Sequence, residues 1–201
     1  MNNGKVKTRD HILSVARREF AERGYYAASM DSIVQASGLS KGAIYWHFKS
    51  KLALFDAVLQ MEVFNIREIM FPTREDLWLK DIHQFFLERG ERLIDFYISR
   101  REVALLWLHV NLEAQRGNTE VADLARNLLD SLIDELIQRI TDLHPDLSRL
   151  KDGLDLKELI ILFEANFNGL LLDLKFKDDP ELTKKLWRFL VNNLLSEKVI
   201  K

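Results

Sequence analysis

An all-α fold follows from three features of this 201-residue chain. Apolar residues recur at helical spacing along its length, and no stretch sustains the apolar–polar alternation of a half-buried strand. Good N-cap residues stand where the apolar stripes begin, at Thr8, Ser29, Ser40, Ser50 and Asp179. The composition, 47% hydrophobic with 8 Gly and 3 Pro, supplies a core and excludes disordered, collagen-like and low-complexity classes.

The first helix is expected to start after Thr8 and run to Arg23. Ile12, Ala16 and Phe20 form its inner stripe, with Leu13 and Val15 beside them, and Gly24 stops it. Ser29 caps a short helix carrying Met30, Ile33 and Val34 that ends at Gly38. Ser40 caps a second short helix over 41–48, whose Ile44 and Phe48 face inward at i, i+4. Ser50 caps a longer one in which Phe55, Leu59, Val63, Ile66 and Met70 share a side, and Pro72 ends it. Further helices are expected at 75–99, 101–116, 119–143, 155–176 and 180–197. The Gly117-Asn118-Thr119 turn, the Pro145 region with Gly153, and Asp179 before an N1 proline separate the last four. The break near Arg100 has no Gly or Pro to mark it, and Gly90 is a place where the 75–99 helix could kink or split. No flexible linker is present, so the helix after Ser50 should join the first part of the chain rigidly to the rest.

Composition also closes off functions. With no cysteine there is no disulfide framework, thiolate metal site, iron–sulfur cluster or cysteine nucleophile. No apolar run approaches the roughly 18 residues of a membrane span. The basic N-terminus is followed by no apolar segment of a signal peptide. The expected location is therefore the cytoplasm, away from membranes. Histidines 11, 47, 83, 109 and 144 form no i, i+4 pair, and there is no G-x-S-x-G, Gly-rich phosphate loop or G-x-G-x-x-G. No catalytic residue, cofactor or metal is expected. The net charge of −2 conceals an asymmetry: residues 1–52 hold nine Lys/Arg against four Asp/Glu, a net +5, leaving −7 on the remainder. A basic head on an acidic body implies that only the head meets a polyanion.

Two short helices joined by Ser37-Gly38-Leu39-Ser40 have the proportions of a helix-turn-helix. Gly38 suits the positive φ of the turn, Leu39 plugs the angle, and Ser40 starts the second helix. With Ile44 and Phe48 anchoring it, Lys41, Gly42, Ala43, Tyr45, Trp46 and His47 lie on its outer side. Small Gly42 and Ala43 let that helix approach a groove floor, and Lys and hydroxyl groups suit phosphates and base edges. Helix starts at Ser29 and Ser50 offer free N–H groups to phosphate.

The stretches Ile12 to Phe20, Glu22-Arg23-Gly24-Tyr25, Ser29 to Ala36 and Gly38-Leu39-Ser40-Lys41-Gly42-Ala43-Ile44-Tyr45-Trp46-His47-Phe48-Lys49-Ser50-Lys51 resemble the N-terminal domain of the TetR family of transcriptional regulators. The string from Gly42 to Lys49 is similar to that of the AcrR-type repressors of multidrug efflux pumps. The resemblance covers the first quarter to third of the chain. It implies a DNA-binding domain over 1–51 and a helical ligand-binding and dimerisation domain over 52–201. By the same resemblance, Ser29, Tyr45, His47 and Lys51 match phosphate-contacting positions, and Lys41, Gly42 and Ala43 match base-facing ones. Trp46 fits the efflux-repressor variant.

The resemblance further implies a homodimer on a palindromic double-stranded operator, released by a small hydrophobic effector, with efflux-pump genes as targets. Candidate cavity residues are Phe64, Phe86, Trp107, His109, Asn111, Glu113, Phe163, Glu164 and Phe167. A carboxylate of Glu113 or Glu164 facing such a cavity would favour lipophilic cations. The last two helices are apolar on more than one side, which calls for a second burial partner. Leu159, Phe163, Leu170, Leu174, Leu186, Trp187, Leu190 and Leu194 are the candidates for a twofold interface. On the residues alone two other readings stay open: a helical ligand carrier that does not use its DNA-binding-like head, or an adaptor binding another protein through its leucine-rich C-terminal helices.

Overall fold

The computed structural model describes residues 2–71, 81–145, 154–177 and 179–195, without the side chains of 2–5 and 174–177. Among them the fold is all-α. The helices are α1 (Asn2–Ala27), α2 (Met30–Ser37), α3 (Lys41–His47), α4 (Lys51–Met70), α5 (Ile82–Ser99), α6 (Arg101–Gln115), α7 (Thr119–Leu143), α8 (Leu156–Lys177) and α9 (Pro180–Leu194).

Local chemistry sets most of these limits. Ser29 and Ser32 form a reciprocal capping box at the start of α2, and the Ser40, Ser50 and Asp179 side chains accept from Ala43, Ala53 and Leu182 N–H groups. Helix α1 departs from expectation, because it begins at Asn2 rather than after Thr8: residues 2–7 contain nothing that forces a break, and the helix continues through them. Gly24 (φ 75, ψ 169) kinks α1 rather than ending it. Helix α5 starts at Ile82, where Asp81 accepts from the Gln84 N–H and caps it. The earlier part of the helix expected at 75–99 lies outside the described residues. Gly90 neither kinks nor splits α5, which is continuous from Ile82 to Ser99.

The chain forms two compact units. The first combines 1–65 with 100–129, and the second combines 66–99 with 130–201. In the first, the expected α1 stripe of Ile12, Ala16 and Phe20 is fully buried. It packs with Ile33, Ile44, Leu54, Phe55, Leu106, Val110 and Val121. Phe20 meets Phe55 edge-on at 4.9 Å between ring centroids. Polar groups also enter this unit at depth, Glu62 and Glu113 among them. Glu62 of α4 is completely buried and accepts from Arg17 Nη1 at 3.0 Å and Asn65 Nδ2 at 3.2 Å. Arg17 Nη2 reaches Glu102 of α6 at 3.1 Å, so one guanidinium ties α1 to both α4 and α6.

The second unit is built on aromatic rings. Phe86 stacks on Phe163 at 4.4 Å, and Trp187 lies against Phe163 and Phe167 at 5.6 and 5.5 Å. The Trp187 indole donates to the Phe86 carbonyl at 3.0 Å. Helices α5 and α9 approach so closely there that a Cβ on Gly90 would lie 2.0 Å from the Trp187 ring. At the edge of this unit Glu135 accepts from both Arg67 and Arg139. Burial alone would raise its carboxyl, but the two guanidiniums together hold it below the usual range.

Candidate nucleic-acid interface

The geometry of the α2–α3 pair follows from its turn. Gly38 closes α2 in the left-handed region at φ 67, ψ 11, where an L side chain is strained. The Ser37 hydroxyl donates to Val34 O at 2.9 Å and accepts from Leu39 N at 3.2 Å. His11 of α1 donates its ring N–H to Ser37 O at 3.0 Å, docking the turn on the first helix. Ile44 is fully buried and Phe48 nearly so, which fixes the rotation of α3 about its axis.

That rotation decides what is presented. Ser29, Ser40, Lys41, Gly42 and Trp46 are exposed, and Ala43, Tyr45, His47 and Lys51 are half-buried. Trp46 is 58% exposed, unusual for so large an apolar ring, and packs edge-on against His47 at 4.6 Å. Nothing lies within 4 Å of where a Gly42 Cβ would stand, so the outer side of α3 is unobstructed at its first turn.

Two lysines are engaged in ways their sequence positions do not reveal. Lys41 Nζ lies 2.8 Å from Asp31 Oδ1 and 5.8 Å from the centroid of the Tyr45 ring. The hydrogen bond and charge of Asp31 raise its pKa. Lys51 Nζ donates to Tyr25 O at 2.8 Å, Ala28 O at 3.0 Å and Tyr26 O at 3.4 Å, over the Tyr25 ring at 4.4 Å. Its three donors meet carbonyls at the end of α1, and burial pushes its pKa down. A phosphate contact from Lys51 would have to share these donors. Lys51→Ala is therefore expected to lower thermal stability while leaving the salt dependence of DNA binding unchanged. A log–log salt slope reduced by about one, at unchanged melting temperature, would return Lys51 to the phosphate-contacting set.

The expected cavity residues fall in both units. Phe64, Trp107, His109, Asn111 and Glu113 belong to the first unit, and Phe86, Phe163, Glu164 and Phe167 to the second. Phe64 is 57% exposed, whereas Phe86, Phe163 and Phe167 fill the aromatic core. His109 packs on the kink of α1, its Nδ1 3.0 Å from where a Gly24 Cβ would lie. Glu113 is buried with Oε1 3.2 Å from Arg116 Nη1. Glu164 is half-buried, and burial, followed by the charge of Asp130, raises its carboxyl.

The expected interface residues divide as well. Leu159, Phe163 and Trp187 are buried inside their own unit, Phe163 and Trp187 against Phe86 of α5, so they offer no surface to a second subunit. Leu170, Leu190 and Leu194 are partly buried against that core and Leu186 is exposed; the Leu174 side chain lies outside the described residues. The exposed apolar residues of α8 and α9 are instead Ile161, Leu162, Leu172 and Phe189, together with Leu186. Sequence reasoning missed Asp31 and His11 at the interface. No i, i+4 relation links Asp31 to Lys41 or His11 to Ser37: the α2–α3 turn brings the first pair together, and the packing of α2 on α1 the second.

No group of three or more His, Asp or Glu that could hold a metal occurs among the described residues, nor does any helix there have the length and apolarity to cross a membrane. Residues 12–58 match the family of bacterial regulatory proteins called tetR. The regulator AcrR of Shigella flexneri is 44% identical over 63 residues, 31% of this chain and 29% of that protein. The match thus spans under a third of that relative's length. The repressor Rv1474c of Mycobacterium tuberculosis is 31% identical over 177 residues, covering 75% of this chain and 90% of the repressor. A solved SmeT–triclosan complex superposes with a TM-score of 0.75 at 19% identity, over 97% of this chain and 92% of the other.

Proposed function

Since the chain belongs to the TetR family of bacterial regulatory proteins, we propose that it is a ligand-responsive transcriptional repressor, acting as a homodimer on a palindromic operator. The observation that carries this reading is α3. Its rotation is fixed by Ile44 and Phe48, and its outer side carries Lys41, Gly42, Ala43, Tyr45 and Trp46 toward solvent. In this reading residues 1–51 bind DNA and 52–201 bind effector and partner. Ser29, Ser40, Tyr45 and His47 contact phosphates, while Lys41, Gly42 and Ala43 face bases.

Dimerisation through the outer sides of α8 and α9 is supported by the exposed Ile161, Leu162, Leu172, Leu186 and Phe189. A twofold dimer would offer its two recognition helices to operator half-sites about 34–36 Å apart, one DNA turn. A small apolar effector is supported by the triclosan held in a structure of the same fold. Efflux-pump genes are the targets that the Gly42 to Lys49 string favours, by its resemblance to efflux repressors. Effector releases DNA only by binding the displaced state more tightly than the operator-bound one, and moving the equilibrium from 1:99 to 99:1 takes about 5.5 kcal/mol.

Selection of bound fragments from the host genome, followed by fluorescence anisotropy against a scrambled duplex at moderate salt, tests the reading. A fragment bound roughly 10³-fold or more tightly than the scrambled control is expected. Equal binding of every fragment and the control would overturn it.

A further inference from the structure

The face that α2 and α3 turn toward solvent carries one negative charge. Asp31 is the only carboxylate between residues 23 and 55, a stretch holding Lys41, Lys49 and Lys51. An acid there is costly to any protein that binds a polyanion, unless it has a task. It stands in the first turn of α2, held by the Ser29–Ser32 capping box, and its carboxylate reaches across to Lys41 at 2.8 Å. Lys41 is itself fixed at the first position of α3 by the Ser40 cap. Both side chains are well exposed, 75% for Asp31 and 61% for Lys41. An ion pair so open to water adds little to folding, and an acid in the first turn of α2 gains only about 0.3–1 kcal/mol from the helix dipole, so stability accounts for little of it.

We propose that Asp31 is a specificity-determining residue, which holds the Lys41 ammonium in an internal pair and gives it up only where the base edges of the operator offer a better partner. The inference rests on the DNA-binding reading above and says which contact that site withholds from the wrong DNA. On generic duplex the protein sits on phosphates alone, and a free lysine would add one counterion-releasing contact at every sequence. Paired with Asp31, Lys41 adds nothing there. On the operator the docked α3 brings hydrogen-bonding groups up to Lys41, and these replace the carboxylate. Discrimination thus arises by lowering affinity for the competitor rather than raising it for the target.

Asp31→Asn keeps the size of the residue and leaves the Ser29–Ser32 capping box in place while removing the charge. Anisotropy with the full-length protein and a labelled generic duplex, across a salt series, gives the test for wild type, Asp31→Asn, Lys41→Gln and the double variant. Asp31→Asn is expected to bind generic DNA roughly fivefold more tightly, with a salt slope steeper by about one. In the Lys41→Gln background the same change should yield less than half that gain. No gain from Asp31→Asn, or an equal gain in both backgrounds, would overturn the proposal, the second result meaning that Asp31 acts only through bulk charge. Failure of the DNA-binding reading itself looks different, because wild type would then bind every genomic fragment no better than the scrambled duplex.

Discussion

Alanine at position 90 is expected to destabilise the protein by about 3–5 kcal/mol, since overpacking costs 1–3 and the shifted ring also loses a buried hydrogen bond. The added methyl would lie 2.0 Å from Cε2 and Nε1 of Trp187 and 2.4 Å from Cζ2. The indole has nowhere to retreat. Its N–H is bonded to Phe86 O at 3.0 Å, and Phe163 and Phe167 pack against the ring. The sign makes this a sharp test, because at an exposed mid-helix site the same change would stabilise by nearly 1 kcal/mol. At 2–4 °C per kcal/mol for a chain of this size, the melting temperature should fall by roughly 6–20 °C. An unchanged or raised midpoint in a calorimetric scan would show that α5 and α9 are not in contact at Gly90.

Removing the cation of Arg17 should cost a similar amount, about 3–5 kcal/mol for Arg17→Ala, by stranding one partner of a buried pair. Glu62 is wholly buried, and without Arg17 its Oε1 loses the 3.0 Å contact, leaving only Asn65 on Oε2. Glu102, 35% exposed, can turn to water, so Glu102→Gln should cost no more than about 1 kcal/mol. Urea denaturation of these variants, with Arg17→Ala/Glu62→Leu alongside, separates the terms. The double variant should recover most of the loss, because an apolar pair leaves no charge underground. If Arg17→Ala and Glu102→Gln cost the same, Glu62 is not the residue that makes Arg17 matter.

These two sites mark where the sequence stops being readable. Caps and stops are local, so Ser29, Ser40, Ser50, Asp179 and Gly38 could be found by inspection and stand where they were expected. The outer side of α3 was legible for the same reason, since Ile44 and Phe48 one turn apart fix which residues point away. Gly90 carried no sign of its purpose, because the ring it makes room for is 97 residues further on. Arg17 and its two carboxylates are 45 and 85 residues apart and fit no helical spacing. On α8 and α9 the apolar residues were visible but their assignment was not: Leu159, Phe163 and Trp187 serve the chain's own core, and Ile161, Leu162 and Phe189 face outward. Periodicity gives a stripe, not the identity of its neighbour.

The first compact unit is assembled from two stretches, 1–65 and 100–129, with residues of the other unit between them. This has a consequence for biosynthesis. When the ribosome has made α1 to α4, the apolar faces that Leu106, Val110 and Val121 will cover are still open. At 5–20 residues per second the missing stretch is complete only roughly 3–13 s later. The nascent helix-turn-helix therefore waits, locally formed but uncovered, and becomes a finished reading head only after much of the chain behind it has emerged.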